Sequence, residues 1–152
     1  MNNTNENKTS DIYLAHVDFE TGRTQSFQEH TDNVTSYAKS ICPMGEIQKL
    51  VEAAALFHDA GKLSDDVQKD FQDILKKGDQ AHRNDLDHST AGGRMLWKMM
   101  QQKTAAELLS TVVYSHHGIS DCIDFESGCT LQERRAEKEC QEDIVKERFF
   151  RS

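Results

Sequence analysis

Seven histidines stand in this sequence, and most of them fall where a run of helically spaced apolar residues continues. His30 precedes Val34 by four residues and Tyr37 by seven, so a helix through these positions carries the imidazole on its apolar face. His58 follows Ala54 by four, and His88 precedes Ala91, Gly92 and Met95. His116 follows Val112 by four and Val113 by three, while His117 follows Val113 by four. These five imidazoles are expected to face inward, next to the carboxylate of Asp59. Burying such groups together is costly unless each finds a partner. A divalent cation satisfies them at once, and a bridging Asp59 would allow two ions. Imidazole with carboxylate suits Mn, Fe, Co, Ni or Zn better than Mg or Ca, which favour oxygen. Bound ions acidify a coordinated water, so the expected chemistry is metal-assisted hydrolysis.

The elements that must position these side chains read as helices. Val34, Tyr37, Ala38 and Ile41 mark the first, which should stop before Pro43. Ile47, Leu50, Val51, Ala54 and Ala55 mark the second, ending near Gly61, and Val67, Phe71, Ile74 and Leu75 the third, ending at Gly78. A polar loop with an exposed His82 spans about residues 79–87. Ala91, Gly92, Met95, Leu96 and Met99 mark a fourth helix, and Leu108, Leu109, Val112 and Val113 a fifth. His30 and His88 then lie at helix N-termini, and His58 and the His116-His117 pair at C-termini, so an up-and-down bundle gathers them at one end. Leu131 to Phe150 is charged and helix-prone with a thin apolar stripe, and reads as a peripheral helix or one whose partner lies outside the chain. Before the helices, Ile12 to His16 and Arg23 to Phe27 flank a Glu20-Thr21-Gly22 turn signal compatible with a short hairpin. Residues 1–11 read as a flexible tail, leaving 12–152 as one domain.

Composition narrows the function classes. A formal net charge of -8 makes the surface as a whole repel nucleic acid, so phosphate binding needs a local positive source such as bound metal. Cys42, Cys122, Cys129 and Cys140 form no Cys-x-x-Cys pair, which argues against a thiolate zinc site and against a disulfide scaffold. With no membrane-length apolar run and no apolar stretch in Met1 to Ser10, the expectation is a cytoplasmic protein without membrane partners.

Four segments carry a resemblance: His30; Ala55-Leu56-Phe57-His58-Asp59-Ala60-Gly61-Lys62; Asp87-His88-Ser89-Thr90-Ala91-Gly92-Gly93; and Ser115-His116-His117-Gly118. In this order and spacing they resemble the HD superfamily, and in particular the HD nuclease domain of the type I CRISPR-associated helicase-nuclease. Leu14-Ala15-His16 and Gln25 to His30 with Asn33-Val34 are similar to that family's opening. The resemblance covers roughly residues 12–121. It implies an all-α HD-domain bundle and a metal-dependent nuclease acting on single-stranded DNA. Such a nuclease works with a helicase domain or subunit, fused or separate, after an RNA-guided CRISPR surveillance complex opens the target. Carried over by motif, His30, His58 and Asp59 would hold one ion and Asp59, His88, His116 and His117 a second. Lys62 would stand beside the scissile phosphate, with Asp59 and Lys62 as the catalytic pair.

Two departures qualify the resemblance. The family usually has a further metal-binding aspartate well downstream of the double histidine. This chain ends before that distance, so an incomplete first site, with Asp143 ahead of Asp121 and Asp124 as late candidates, and a fragment of a longer protein are the expectations. There is also no Gly-x-x-x-x-Gly-Lys-Ser/Thr loop, so this stretch is not itself the ATP-driven motor. Alternative functions are an HD phosphohydrolase acting on nucleotides or cyclic dinucleotides, and a truncated HD domain serving as an interaction module. Simpler roles are expected elsewhere. His16, off the helices, is structural or a second-layer or substrate contact. Met95, Met99, Met100 and Trp97 read as core, Arg134-Arg135 and Lys146-Arg148 as solvated faces, and Gly92-Gly93 as a close backbone approach.

Overall fold

A computed structural model describes residues 12–42, 45–78, 86–124 and 128–152, the side chains of 121, 124, 128 and 129 excepted. The expected tail and His82 lie outside the described residues. Strands β1 (Leu14–Val17) and β2 (Thr24–Ser26) form an antiparallel hairpin with an irregularity between Leu14 and His16, which leaves His16 opposite Gln25. The Ser26 hydroxyl then accepts the N–H of Glu29 and starts α1 (Phe27–Ile41), so the first helix begins three residues before His30. Helix α2 (Gly45–Phe57) stops immediately before His58, earlier than Gly61 suggested, because a 3-10 turn (Ala60–Leu63) intervenes. Ser64 caps α3 (Asp65–Lys77), and Gly78, at φ +57, ends it as expected. Helices α4 (Ser89–Met99) and α5 (Lys103–Tyr114) complete the bundle. A 3-10 turn (Ile119–Cys122) and a two-residue ladder between β3 (Ile123–Asp124) and β4 (Gly128–Cys129) lead to the C-terminal helices. The fold is all-α with a short N-terminal hairpin, as the sequence implies.

The main core joins all these layers, with Phe27, Phe57, Leu63, Met95, Leu109 and Val113 at its centre. A smaller cluster of Val67, Phe71 and Ile74 seats α3 against Leu14, Val17 and Leu86. Several apolar positions face outward instead. Helix α1 buries Phe27, Thr31 and Ala38, leaving Tyr37 and Ile41 exposed, so its inward face is rotated from the Tyr37-Ile41 stripe. Leu108 and Val112 are exposed while Leu109 and Val113 are buried, and of the Met/Trp cluster only Met95 is buried.

The C-terminal stretch departs most from expectation. It is two helices, α6 (Leu131–Ala136) and α7 (Glu142–Phe149), separated by a turn with Gln141 at φ +47. Arg94 of α4 causes the break: its guanidinium donates to the carbonyls of Arg134 (2.6 and 3.0 Å) and Lys138 (2.6 Å), which pins the end of α6 to α4. Helix α7 docks on this chain: Val145 is buried, Phe149 stacks on Phe57 at 4.5 Å, and Arg148 donates to the Leu63 carbonyl at 2.6 Å. Lys146 and Glu147 are exposed as expected, but Arg134 and Arg148 are not solvated. Arg134 is buried, and Arg148 also pairs with Asp65.

Candidate metal centre

The residues singled out by motif converge on Asp59, which is buried. It sits in the sharp turn between α2 and the 3-10 turn, at φ -109 and ψ 12. Its Oδ2 lies 2.9 Å from His30 Nε2, 3.2 Å from His58 Nε2 and 2.8 Å from Lys62 Nζ. Its Oδ1 lies 3.3 Å from His116 Nε2 and 3.5 Å from His88 Nε2. His117 completes the far side, its Nε2 2.5 Å from that of His88. The structure thus brings His30, His58, Asp59, Lys62, His88, His116 and His117 together at one end of the bundle. His117, unlike the other four rings, is exposed, at the rim.

Each ring is oriented from behind. His58 Nδ1 donates to the Ala55 carbonyl at 2.7 Å, His88 Nδ1 to that of Leu86 at 3.0 Å, His116 Nδ1 to that of Val113 at 2.7 Å, and His30 Nδ1 to Gln25 Oε1 at 3.3 Å. Because an oxygen of this kind only accepts, the Nδ1 carries the proton and the Nε2 lone pair of each neutral ring faces Asp59, the outer-layer arrangement of metal-bound histidine. Two of these rings, His30 and His58, bring their Nε2 atoms within 3.1 Å of each other. Asp59 Oδ1 and His116 Nε2 are buried with no hydrogen-bond partner, two acceptors side by side. Such a set fits a cation.

The electrostatics agree. Burial works against ionisation of Asp59, but the rings of His116, His30 and His58, wherever they carry a proton on Nε2, outweigh it and hold the carboxyl well below the usual carboxylate range. Burial lowers the pKa of His88, which keeps the ring neutral and its lone pair available. In His58 burial also disfavours the charge, yet the adjoining Asp59 carboxylate raises the pKa on balance.

Two groups offer donor atoms lying within 4.8 Å of one another: Asp59 with His88, His116 and His117, and Asp59 with His16 and His30. His30, His58 and Asp59 are as closely spaced. Among the described residues, Asp59 is the carboxylate common to these groups. Asp143 belongs to neither and is exposed on the first turn of α7. The side chains of Asp121 and Asp124 lie outside the described ones.

Sequence reasoning offered Asp87 as a cap and missed the other supports. Asp87 caps α4, accepting the N–H groups of Ser89 and Thr90 at 3.0 Å each, and pairs with Lys138. Burial opposes its ionisation, but Lys138 and Thr90 keep its carboxyl well below the usual range. Arg134 donates to Ser89 Oγ at 2.8 Å and Thr90 Oγ1 at 3.3 Å, bracing the turn that follows His88. Gln68 accepts the Leu14 N–H at 3.0 Å and donates to the carbonyls of Leu14 (2.8 Å) and Lys62 (2.7 Å), tying β1 to the lysine's turn. A lone glutamine or a glutamate-flanked arginine carries no sequence signal for such a role.

Over the cluster opens a cleft of about 640 Å³, in the range of small-molecule sites. His16, Lys62, His88 and His117 face it from the metal side, Val67, Phe71 and Leu86 give an apolar wall, and Asp70, Asp87, Arg134 and Lys138 line the rest.

A helical bundle that presents a carboxylate and a ring of oriented imidazoles to an open cleft defines a metal-dependent hydrolase of the HD type. The chain belongs to the family described as "Cas3, HD domain", whose family model matches residues 22–149. That places it among HD hydrolases of the CRISPR context. No curated protein and no solved structure matches it.

Proposed function

We propose that this chain is a nuclease that cleaves single-stranded DNA in type I CRISPR interference. In this reading it acts in the cytoplasm with a helicase, as a fused domain or separate subunit, on a target opened by an RNA-guided surveillance complex. His30, His58 and Asp59 hold one divalent ion, and Asp59, His88, His116 and His117 the second. The observation that carries the reading is the set of Nε2 lone pairs turned on a buried carboxylate at the foot of a cleft.

When bound, divalent ions supply an acidified water and charge neutralisation at the phosphate oxygens. The chain's own residues do the rest. Carbonyls behind His58, His88 and His116 fix the rings in the ligating tautomer. Lys62, buried beside Asp59 and lining the cleft, holds a fixed positive charge where negative charge develops on a phosphate. Arg134 and Lys138 are paired with Asp87, and Lys62 with Asp59, so the local attraction for phosphate in a chain of net charge -8 comes mainly from the ions.

Circular single-stranded DNA incubated with the protein and Mn, Ni or Co tests the reading. Nicking supports it. Turnover of nucleotides or cyclic dinucleotides without nicking assigns the site to a small-molecule phosphohydrolase, and neither activity leaves a binding module.

A further inference from the structure

We propose that His16 is a direct ligand of the ion assigned to His30, His58 and Asp59, an inference that rests on the two-ion reading above. The donor atoms of His16, His30 and Asp59 all lie within 4.8 Å of one another, close enough to share one ion. His16 Nε2 is 3.5 Å from Lys62 Nζ, which is itself 2.8 Å from Asp59 Oδ2. An ammonium already stands between the imidazole and the carboxylate, so His16 presents an acceptor nitrogen towards the same positive charge as Asp59 does.

The backbone places His16 there deliberately. The irregularity in the hairpin falls between Leu14 and His16, and disruptions of this kind re-aim a side chain next to active sites. Ala15, inside that irregularity, is fully buried, while His16 turns to the cleft. Its ring meets that of His30 edge-on, with centroids 4.5 Å apart. The strand cannot drift, because Gln68 ties Leu14 to the Lys62 turn and the Phe27 N–H donates to the Tyr13 carbonyl at 2.8 Å.

Counting donors gives the same result. The second group consists of His88, His116, His117 and Asp59. With His16 added to His30, His58 and Asp59, the first ion would draw on three imidazoles and the Asp59 carboxylate, as the second would. The first site then needs no late aspartate, in accord with the exposure of Asp143.

Calorimetric titration of the whole chain with Mn, alongside X-ray absorption of the Co-loaded protein, tests the assignment. Wild type binds two ions. His16→Ala keeps one and weakens the other by ~100-fold or more, at or beyond the upper limit of the ~10–100-fold produced by losing an outer-layer partner. His16→Asp, which puts a carboxylate oxygen in place of the imidazole, recovers the ion assigned to His30, His58 and Asp59. Arg151→Ala, which breaks only an exposed pair with Glu147, retains both. The absorption spectrum of His16→Ala loses an imidazole scatterer. Two ions bound unchanged by His16→Ala, or an equal loss in Arg151→Ala, overturns the ligand assignment alone; a wild type that binds one ion overturns the two-ion reading beneath it.

Discussion

The backbone N–H of Gly61 donates to the carbonyl of His88 across 3.1 Å, joining the turn that carries Asp59 to the segment that carries His88. A Cβ on Gly61 would lie 2.2 Å from that carbonyl oxygen. Gly61→Ala therefore pushes the two ligand-bearing segments apart rather than filling space. The expected cost is ~1–3 kcal/mol or more, the usual penalty of overpacking, with a weakened Mn affinity in the same variant. Urea unfolding and calorimetry check both, and unaltered values for the two would show that the contact does not set the site.

Gly92 and Gly93 behave alike at the neighbouring layer. A Cβ at Gly92 would come 1.9 Å from the Phe57 carbonyl, and one at Gly93 would come 2.3 Å from the Tyr114 ring. Here the sequence was legible, because a glycine pair inside a helix is costly without a close approach to justify it. The histidines proposed as ligands were legible for a related reason: each was read as continuing an apolar stripe, although the Tyr37 stripe used for His30 is exposed. His16 was not, since it gains its position from a strand irregularity that no periodicity encodes. Arg94 and Arg134 were also hidden. Their burial is settled by carbonyls and hydroxyls some 40 or more residues away in the chain, whereas the Arg134 segment read as solvated and nothing local marked Arg94.

Arg134 carries the second prediction. Replacing it with Met removes donors from Ser89 and Thr90 and one partner of Asp87, leaving Lys138 as the other. Hydrogen bonds to a charged group contribute ~1.5–3 kcal/mol, so Arg134→Met should lower stability by about that amount. Arg151→Ala, which breaks the exposed pair with Glu147, is the control and should change stability by less than ~1 kcal/mol. Equal effects in the two variants would place Arg134 among ordinary surface charges.

Metal loading should raise thermal stability, because the cation binds a cluster that exists only in the folded chain. At a free concentration of 100 Kd the gain is ~2.7 kcal/mol. For a chain of this size that corresponds to about 5–10 °C in Tm. Scanning calorimetry of chelator-treated protein, with and without Mn, measures it. A Tm indifferent to the metal would mean that the imidazoles are satisfied some other way.

Asp59 and His117 separate a shared ligand from a private one. Asp59 offers Oδ2 to His30 and His58 and Oδ1 to His88 and His116, so both ion positions depend on it. His117 belongs to one group only and is exposed. Asp59→Ala should abolish binding of both ions and with it metal-dependent cleavage, as should His58→Ala for cleavage, with helical circular dichroism retained because the core lies in Phe27, Phe57, Leu63, Met95 and their neighbours. The Asp59 variant should also unfold more readily, since it leaves the buried Lys62 ammonium without its carboxylate, and a buried charge stripped of its partner costs ~3–5 kcal/mol. His117→Ala should lose one ion, keep the other, and leave stability nearly unchanged, since it vacates an exposed position. Ion counts on the two variants therefore decide the arrangement: equal losses would contradict a bridging carboxylate, and an Asp59→Ala protein that still binds either ion at wild-type affinity would remove Asp59 from the centre of the site.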